Sequence, residues 1–300
     1  MTAATMGGGD EWLAARFEES RGRLEALAYR MLGTRGEAED AVQEAWVRLG
    51  RAGTGGVANV EGWFTTIVAR LCLDQLRARR ARREEPVLPH TSEPATAPGG
   101  AWDAEHELVL AEQVGLALLV VLDSLGPAER VAFVLHDLFG LPFDEIAPMV
   151  RRTPAATRQL ASRARRRVRG ATPAGTPDRA RQRRVAEAYL AASRGGDLDA
   201  LLAVLDPEVV LRVDETLVRA GAAAEVRGAR EVAGRALAYR RLGRFARPAL
   251  VDGAVGVIVA PAGRLRLVMR LDIHADRITA IELVAAPERL RAVELAVLEE

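Results

Sequence analysis

The chain contains no lysine: all 42 of its basic residues are arginine, set against 41 acidic ones for a formal net charge of +1. That bias is of the kind GC-rich coding produces and is given no functional weight. A single cysteine, Cys72, excludes an internal disulfide and a cysteine-based metal cluster. It lies in the apolar run Ile67-Val68-Ala69-Arg70-Leu71-Cys72, where a thiol behaves as a small buried hydrophobe. Aromatic residues make up only 4% of a chain that is 49% hydrophobic, so its cores are expected to be aliphatic and helix-packed. No basic segment followed by an apolar stretch opens the chain, and no apolar run is long enough to span a bilayer. A soluble cytoplasmic protein is expected.

Three hundred residues leave room for two or three domains. After a leader expected to be frayed (residues 1–10), helical spacing runs from Glu11 to Arg83. Leu24, Leu27, Ala28, Met31 and Leu32 share one face, and Ala38, Val42, Ala45, Trp46 and Leu49 another. Glycines break the pattern at 50–58, and a third helix from about Val60 starts apolar and ends basic. Residues 84–102, rich in Pro, Ser, Thr and Gly, read as a linker. A second helical domain is expected over 103–170 and a second linker over 171–180. Residues 181–300 change texture: two helices, then short apolar runs at Val209–Val213, Val255–Ala260, Leu265–Leu271 and Ile278–Val284, two of them joined by Pro261-Ala262-Gly263 as in a hairpin. The expected fold class is therefore multidomain: two all-α domains over 11–83 and 103–170, then an α+β domain over 181–300.

Within the second block, Gly126-Pro127-Ala128-Glu129 opens a helix with Pro early and Glu in the first turn. Phe143, Ile146, Ala147 and Val150 make a short helix, and Thr153-Pro154 starts the next with Thr as N-cap and Pro at N1. Two short helices about a tight turn form a helix-turn-helix, whose second helix enters the major groove. Between Arg151 and Arg184 stand twelve arginines and one acid, Asp178, an imbalance suited to a phosphate-facing surface. Two residues strain the motif. Pro148 removes a backbone hydrogen bond inside the first helix, worth roughly 3 kcal/mol, and Arg151 holds a turn position that glycine would favour. Local distortion is expected there. Taken alone, the motif is equally consistent with a repressor or an activator.

The first block carries a resemblance that narrows the choice. Gly36-Glu37-Ala38-Glu39-Asp40-Ala41-Val42-Gln43-Glu44-Ala45-Trp46 resembles conserved region 2 of bacterial sigma factors of the extracytoplasmic-function class. Ala28-Tyr29-Arg30-Met31-Leu32-Gly33, Val68–Arg77 and Pro127-Ala128-Glu129-Arg130 with the following helix-turn-helix are also similar to that family, in its order. The resemblance implies a helical region 2 bundle, a region 4 helix-turn-helix, and binding to core RNA polymerase and promoter DNA. It implies that Asp40, Gln43 and Glu44 meet the polymerase. Recognition of the −35 element would fall to Arg158, Gln159, Ser162, Arg163 and Arg166. Strand capture at the −10 element needs cations for phosphates and faces for bases, and would use Asn59, Trp63, Arg70, Arg77 and Arg80. Trp63 is also read as a core residue.

Residues Asp197–Leu202, Asp206–Leu211 and Val226–Ala233 are similar to SnoaL-like domains, cone-shaped α+β folds of the nuclear-transport-factor-2 type. The whole chain thus looks like the SigJ-like type of the class, in which such a domain regulates the sigma domains by intramolecular contact. Some relatives carry a Tyr-Trp-Leu-Pro-Glu-Pro-like linker and an Asp-Gly-Gly-Gly-Lys loop; here only Glu85-Pro86-Val87-Leu88-Pro89 and Val213-Asp214-Glu215-Thr216-Leu217 stand in those places. The same cone fold hosts isomerases and cyclases, for which Asp214, Asp252, Asp272 and His274 are the available acids and bases. Asp214, Asp252 and His274 are the candidates for a C-terminal pocket, with an unidentified small ligand as an open partner. Fold alone does not confer activity: no enzyme, cofactor or metal is expected. A helix-turn-helix regulator and a cone enzyme are the competing readings.

Overall fold

A computed structural model describes residues 7–52, 59–82, 115–170, 177–218 and 223–298. The expected linker 84–102, the first part of the second block (103–114) and most of the glycine-rich loop lie outside them. Two compact units emerge, and they do not follow the order of the chain. Of the described residues, 7–52, 59–82 and 125–165 form one; 115–124, 166–170, 177–218 and 223–298 form the other.

The first unit is all helical. Helices α1 (Gly7–Leu32), α2 (Arg35–Ala52) and α3 (Val60–Arg82) pack on one another. The spacing read from the sequence is the packed face: Leu24, Leu27, Ala28 and Met31 of α1 are buried with Val42, Ala45 and Leu49 of α2 and Phe64, Val68 and Cys72 of α3. Each fully buried leucine stabilises by about 2 kcal/mol relative to an exposed one. Phe17 anchors the aromatic corner, 5.0 Å from Trp46 and 5.2 Å from Phe64 between ring centroids. Helix α1 begins at Gly7, inside the stretch expected to be frayed. Glu11 places an acidic residue near its N-terminus, where the helix dipole favours it over a neutral one.

The helix-turn-helix part of this unit packs against α1 and α3. With α4 (Leu116–Asp123) belonging to the other unit, α5 (Pro127–Phe133) opens on Gly126, whose N–H donates to the Glu129 carboxylate at 3.2 Å. It runs into a π-helical turn, Val134–Leu138, that the residue pattern did not suggest. His136 holds that turn to the next segment: its Nδ1 lies 2.9 Å from the Leu141 carbonyl and its ring stacks on Phe143 at 3.9 Å. Helix α6 (Phe143–Val150) tolerates Pro148, which is exposed. The expected distortion falls at Arg151, which adopts left-handed φ 57, ψ 53. The Arg152 N–H closes the turn on the Ala147 carbonyl at 3.0 Å. Because a side chain in that conformation costs about 1 kcal/mol, Arg151→Gly is expected to stabilise the motif by about 0.5–1 kcal/mol, read as a higher thermal midpoint. Helix α7 (Pro154–Arg169) follows; Thr153 caps it, its Oγ1 accepting from Ala156 N at 3.2 Å.

The second unit is α+β. Helices α8 (Pro177–Gly195) and α9 (Leu198–Val204) precede β1 (Leu205–Val213), β2 (Glu225–Arg227), α10 (Ala229–Ala238), β3 (Ala246–Val251), β4 (Ala254–Val259), β5 (Leu267–His274), β6 (Arg277–Val284), α11 (Pro287–Ala292) and β7 (Leu295–Ala296). The sheet order is β2-β1-β6-β5-β4-β3-β7, antiparallel except for the parallel pair β1 and β6. The Pro261–Gly263 turn does join β4 to β5 as a hairpin. Asp197 caps α9, its carboxylate accepting from Ala200 N at 2.9 Å. Tyr189, Leu201, Val232, Val257, Leu271 and Ile281 sit in one core between helices and sheet. Helix α4, apolar on nearly every side, packs on β3 and β7, and the end of α7 is tied to β7 where Val297 N donates to Val168 O at 2.8 Å.

Candidate polymerase and nucleic-acid interfaces

Helix α2 separates its two faces cleanly. Ala38, Ala41, Val42, Ala45 and Leu49 are buried, while Asp40, Gln43, Glu44 and Val47 form an exposed stripe at i, i+3, i+4 and i+7. Val47 is 46% exposed and was not among the residues singled out from the sequence. Its spacing from Asp40 was the available signal, masked because valine alone reads as core. Glu44 is held by Arg48 at 2.6 Å, an exposed pair worth a few tenths of a kcal/mol and cheap to exchange for another cation.

On α3, Arg70, Arg77 and Arg80 are exposed, away from the buried Val68, Ala69, Cys72 and Leu76. Arg77 faces Asp74 at 3.7 Å. Arg80 reaches the start of α5, its Nη1 lying 3.2 Å from where a Cβ on Gly126 would stand. Asn59 is exposed but employed: its Oδ1 accepts from Gly62 N at 2.9 Å and starts the helix. Trp63 is half-buried, 6.2 Å from the Phe64 ring. Cys72 is wholly enclosed. Burial pushes its thiol up to about 12 even though Arg130 and Arg79 pull the other way, so it is chemically inert at neutral pH.

Helix α7 buries Thr157, Ala161 and Ala164 and exposes Arg158, Gln159, Ser162, Arg163 and Arg166. No acid lies on this helix. Three of its arginines are oriented from below. Arg158 lies over the Phe143 ring at 5.5 Å, Arg163 donates to Glu129 at 3.0 Å, and Arg165 donates to Asp137 at 2.6 Å. Such props lower the side-chain entropy lost when a guanidinium binds a base edge or phosphate.

In the second unit the expected pocket residues do not converge. Asp214 is buried, and its carboxylate accepts from Thr216, Ala285 and Ala286 N–H groups and from Arg289. It is a structural clamp between β1 and the end of β6, and Val213–Leu217 is the end of a strand and a 3-10 turn. Asp252, in the β3–β4 turn, accepts from Arg270 at 2.7 Å and Glu294 N at 2.9 Å. His274 borders a shallow, open recess of about 410 Å³ that Asp272, Ile273 and Gln182 also line, and neither Asp214 nor Asp252 lines it. No group of three or more His, Cys, Asp or Glu residues placed to hold a metal occurs among the described residues. No described helix is long and apolar enough to cross a membrane.

A helical bundle with an exposed acidic-polar stripe, joined to a helix-turn-helix with an arginine face, is the arrangement expected of a sigma-type transcription factor. The Sigma-70 region 2 family matches residues 16–82, and the Sigma-70 region 4 family matches 115–168. The chain is 38% identical over 284 residues to the probable ECF RNA polymerase sigma factor SigI of Mycobacterium tuberculosis, covering 93% of this chain and 94% of that one. It is 42% identical over 221 residues to the ECF RNA polymerase sigma factor SigJ of the same species, covering 73% and 70%. The crystal structure of M. tuberculosis SigJ aligns over 92% of this chain and 98% of its own, at 32% identity and a TM-score of 0.45. The protein belongs to the extracytoplasmic-function sigma factors, which direct RNA polymerase to promoters and start transcription.

Proposed function

We propose that the chain docks on core RNA polymerase through Asp40, Gln43, Glu44 and the adjoining Val47, and reads promoters at two separate places. Asn59, Trp63, Arg70, Arg77 and Arg80 meet the −10 element; Arg158, Gln159, Ser162, Arg163 and Arg166 meet the −35 element. The observation that carries this division is the split of sign between exposed faces: acidic and polar on α2, arginine without acid on α7. Cations face DNA because phosphate neutralisation releases counterions, and a carboxylate stripe is repelled by it. The second unit reads as a SnoaL-like regulatory domain that acts on the sigma parts within the chain. A mixed sheet covered by α8, α9 and α10 supports that reading. The protein works in the cytoplasm without a cofactor or chemistry of its own: Asp214 is consumed as a clamp and the recess beside His274 is too open to exclude water.

Full-length variants test the division. Arg163→Ala is expected to weaken −35 recognition by about 1–3 kcal/mol and leave capture of core polymerase intact. Asp40→Ala with Gln43→Ala is expected to abolish capture and leave the intrinsic DNA contacts of α7 unchanged. Loss of the same function by both variants would sink the assignment. Truncation at Pro177 is a poorer test, because it strips α4 of the β3 and β7 strands it packs on.

A further inference from the structure

The second unit carries a basic surface that neither sigma region explains. From Val232 to Val251 the sequence has five arginines, at 235, 240, 241, 244 and 247, and no acid. Several arginines elsewhere in this unit are matched: Arg181 with Asp276, Arg212 and Arg227 with Glu225, Arg270 with Asp252 and Glu282. Among the described residues no carboxylate pairs with Arg240, Arg241 or Arg244. These three lie on a 3-10 segment, Arg240–Phe245, just beyond the end of α10. Two large apolar side chains are exposed on the same stretch, Tyr239 at 52% and Leu242 at 44%.

The segment is a fixed platform. Arg194 of α8 donates to the Gly243 carbonyl at 2.8 Å and to the Ala246 carbonyl at 2.6 Å. A Cβ on Gly243 would stand 3.0 Å from Arg194 Cγ, so the backbone is seated against that side chain. Arg244 lies over the Phe245 ring at 4.6 Å, held by its flat face with the edge donors still available. Backbone and props are therefore satisfied from within, and the unmatched guanidinium groups face outward.

We infer that the Tyr239–Arg244 segment is a second, sequence-independent DNA contact, binding backbone phosphates through Arg240, Arg241 and Arg244. Guanidinium forks suit phosphate oxygens, and contacts of this kind position a protein without specifying bases. The apolar rings and methyls beside them suit deoxyribose, which a purely solvated charged face would not need. DNA is favoured over an acidic protein because membership of the sigma family already places this chain on a promoter. The inference rests on that membership but not on the residue assignments in α7.

The test is fluorescence anisotropy of the full chain with a 30-base-pair duplex of arbitrary sequence, from about 50 to 300 mM salt. Each phosphate neutralised contributes about 0.9 to the slope of log K against log salt. Arg240→Gln/Arg241→Gln/Arg244→Gln is expected to lower the slope by roughly 2–3 and weaken binding about tenfold or more at the lower salt concentrations. Arg240→Gln/Arg241→Gln is expected to lower it by about 2, and serves if the triple variant fails to fold. A parental chain that binds no duplex at 50 mM, or variants with the parental slope, would overturn the inference. So would variants that keep DNA binding and lose core polymerase instead, since the surface would then face protein. Failure of the α7 assignment alone looks different: Arg163→Ala would leave promoter preference unchanged while the triple variant still lost slope.

Discussion

Asp214→Asn is expected to destabilise the second unit by about 2–4 kcal/mol, read as a fall of several degrees in its thermal midpoint. The carboxylate lies in the interior and its two oxygens serve the N–H groups of Thr216, Ala285 and Ala286, the Thr216 hydroxyl and Arg289. Asparagine keeps the size but turns an NH₂ toward donors, leaving at least one buried N–H without an acceptor. Burial on its own pushes the Asp214 carboxyl up, but the N–H bonds from Thr216, Ala286 and Ala285 and the Thr216 hydroxyl outweigh it and hold the group below the usual carboxylate range. A pKa lower in the folded than in the unfolded chain means the stabilisation is fully present above about 4 and is lost as pH falls through the folded value. The gap between parent and Asp214→Asn is therefore expected to be widest at neutral pH and to close on acidification below about 4. A gap that stays constant with pH would show that packing, not charge, holds this clamp.

The fate of Asp214 also shows where sequence reasoning stopped. An acid at the end of a strand was legible as a candidate for a pocket; that it faces the N–H groups of Ala285 and Ala286, more than seventy residues away, was not. The same limit applies to β3. Val255–Ala260 and Ile278–Val284 announce themselves as apolar runs, but Ala246–Val251 contains Arg247-Pro248, and proline argues against a strand interior. Pro248 sits opposite Val257 in the ladder all the same. Burial of Ala249, Leu250 and Val251 offsets the ladder hydrogen bond that proline cannot donate. Local signals fared better. The helix-turn-helix was legible to the residue at Thr153 and Arg151, because caps and left-handed turns depend on near neighbours. Asp40, Gln43 and Glu44 were singled out by the family resemblance, and Val47 completes their face only once the opposite side of α2 is seen to be filled. The π-helical turn at Val134–Leu138 left no trace in periodicity, since one extra residue in five is within the noise of any apolar pattern.

Arg130→Ala is expected to open the first unit. Arg130 is 2% exposed, and its Nε donates to the Arg30 carbonyl at 3.2 Å; Arg79 of α3 donates to the Leu32 carbonyl at 2.9 Å and pairs with Glu37. Two guanidinium groups, one from α3 and one from α5, thus serve carbonyls in the last turn of α1, where no intrahelical donor is available and the helix dipole favours cations. Arg30 in turn lies over the Phe139 ring at 5.5 Å. These contacts hold the helix-turn-helix to the α1–α3 bundle. On the assignments proposed above, that closed unit cannot read both promoter elements together. About 25 base pairs separate −10 from −35, which is about 85 Å of duplex at about 3.4 Å per step, whereas a unit of about 110 described residues has a radius of gyration of about 13 Å. Reading both at once requires the two parts to separate, and loss of Arg130 favours that separation. The Ala variant is expected to cost about 2–4 kcal/mol of stability in this unit, because it leaves a cavity and a carbonyl without its donor. Arg130→Met, which refills the volume without the charge, is expected to recover part of that. Dyes on Ala15→Cys and Ala155→Cys report the opening directly, since both positions are exposed and the buried Cys72 thiol does not label. A longer dye-to-dye distance in Arg130→Ala, with core polymerase lengthening it in the parent as well, is the expected result. An unchanged distance in both would mean that the closed unit is the form that binds, and that −10 and −35 recognition do not reside on its two parts.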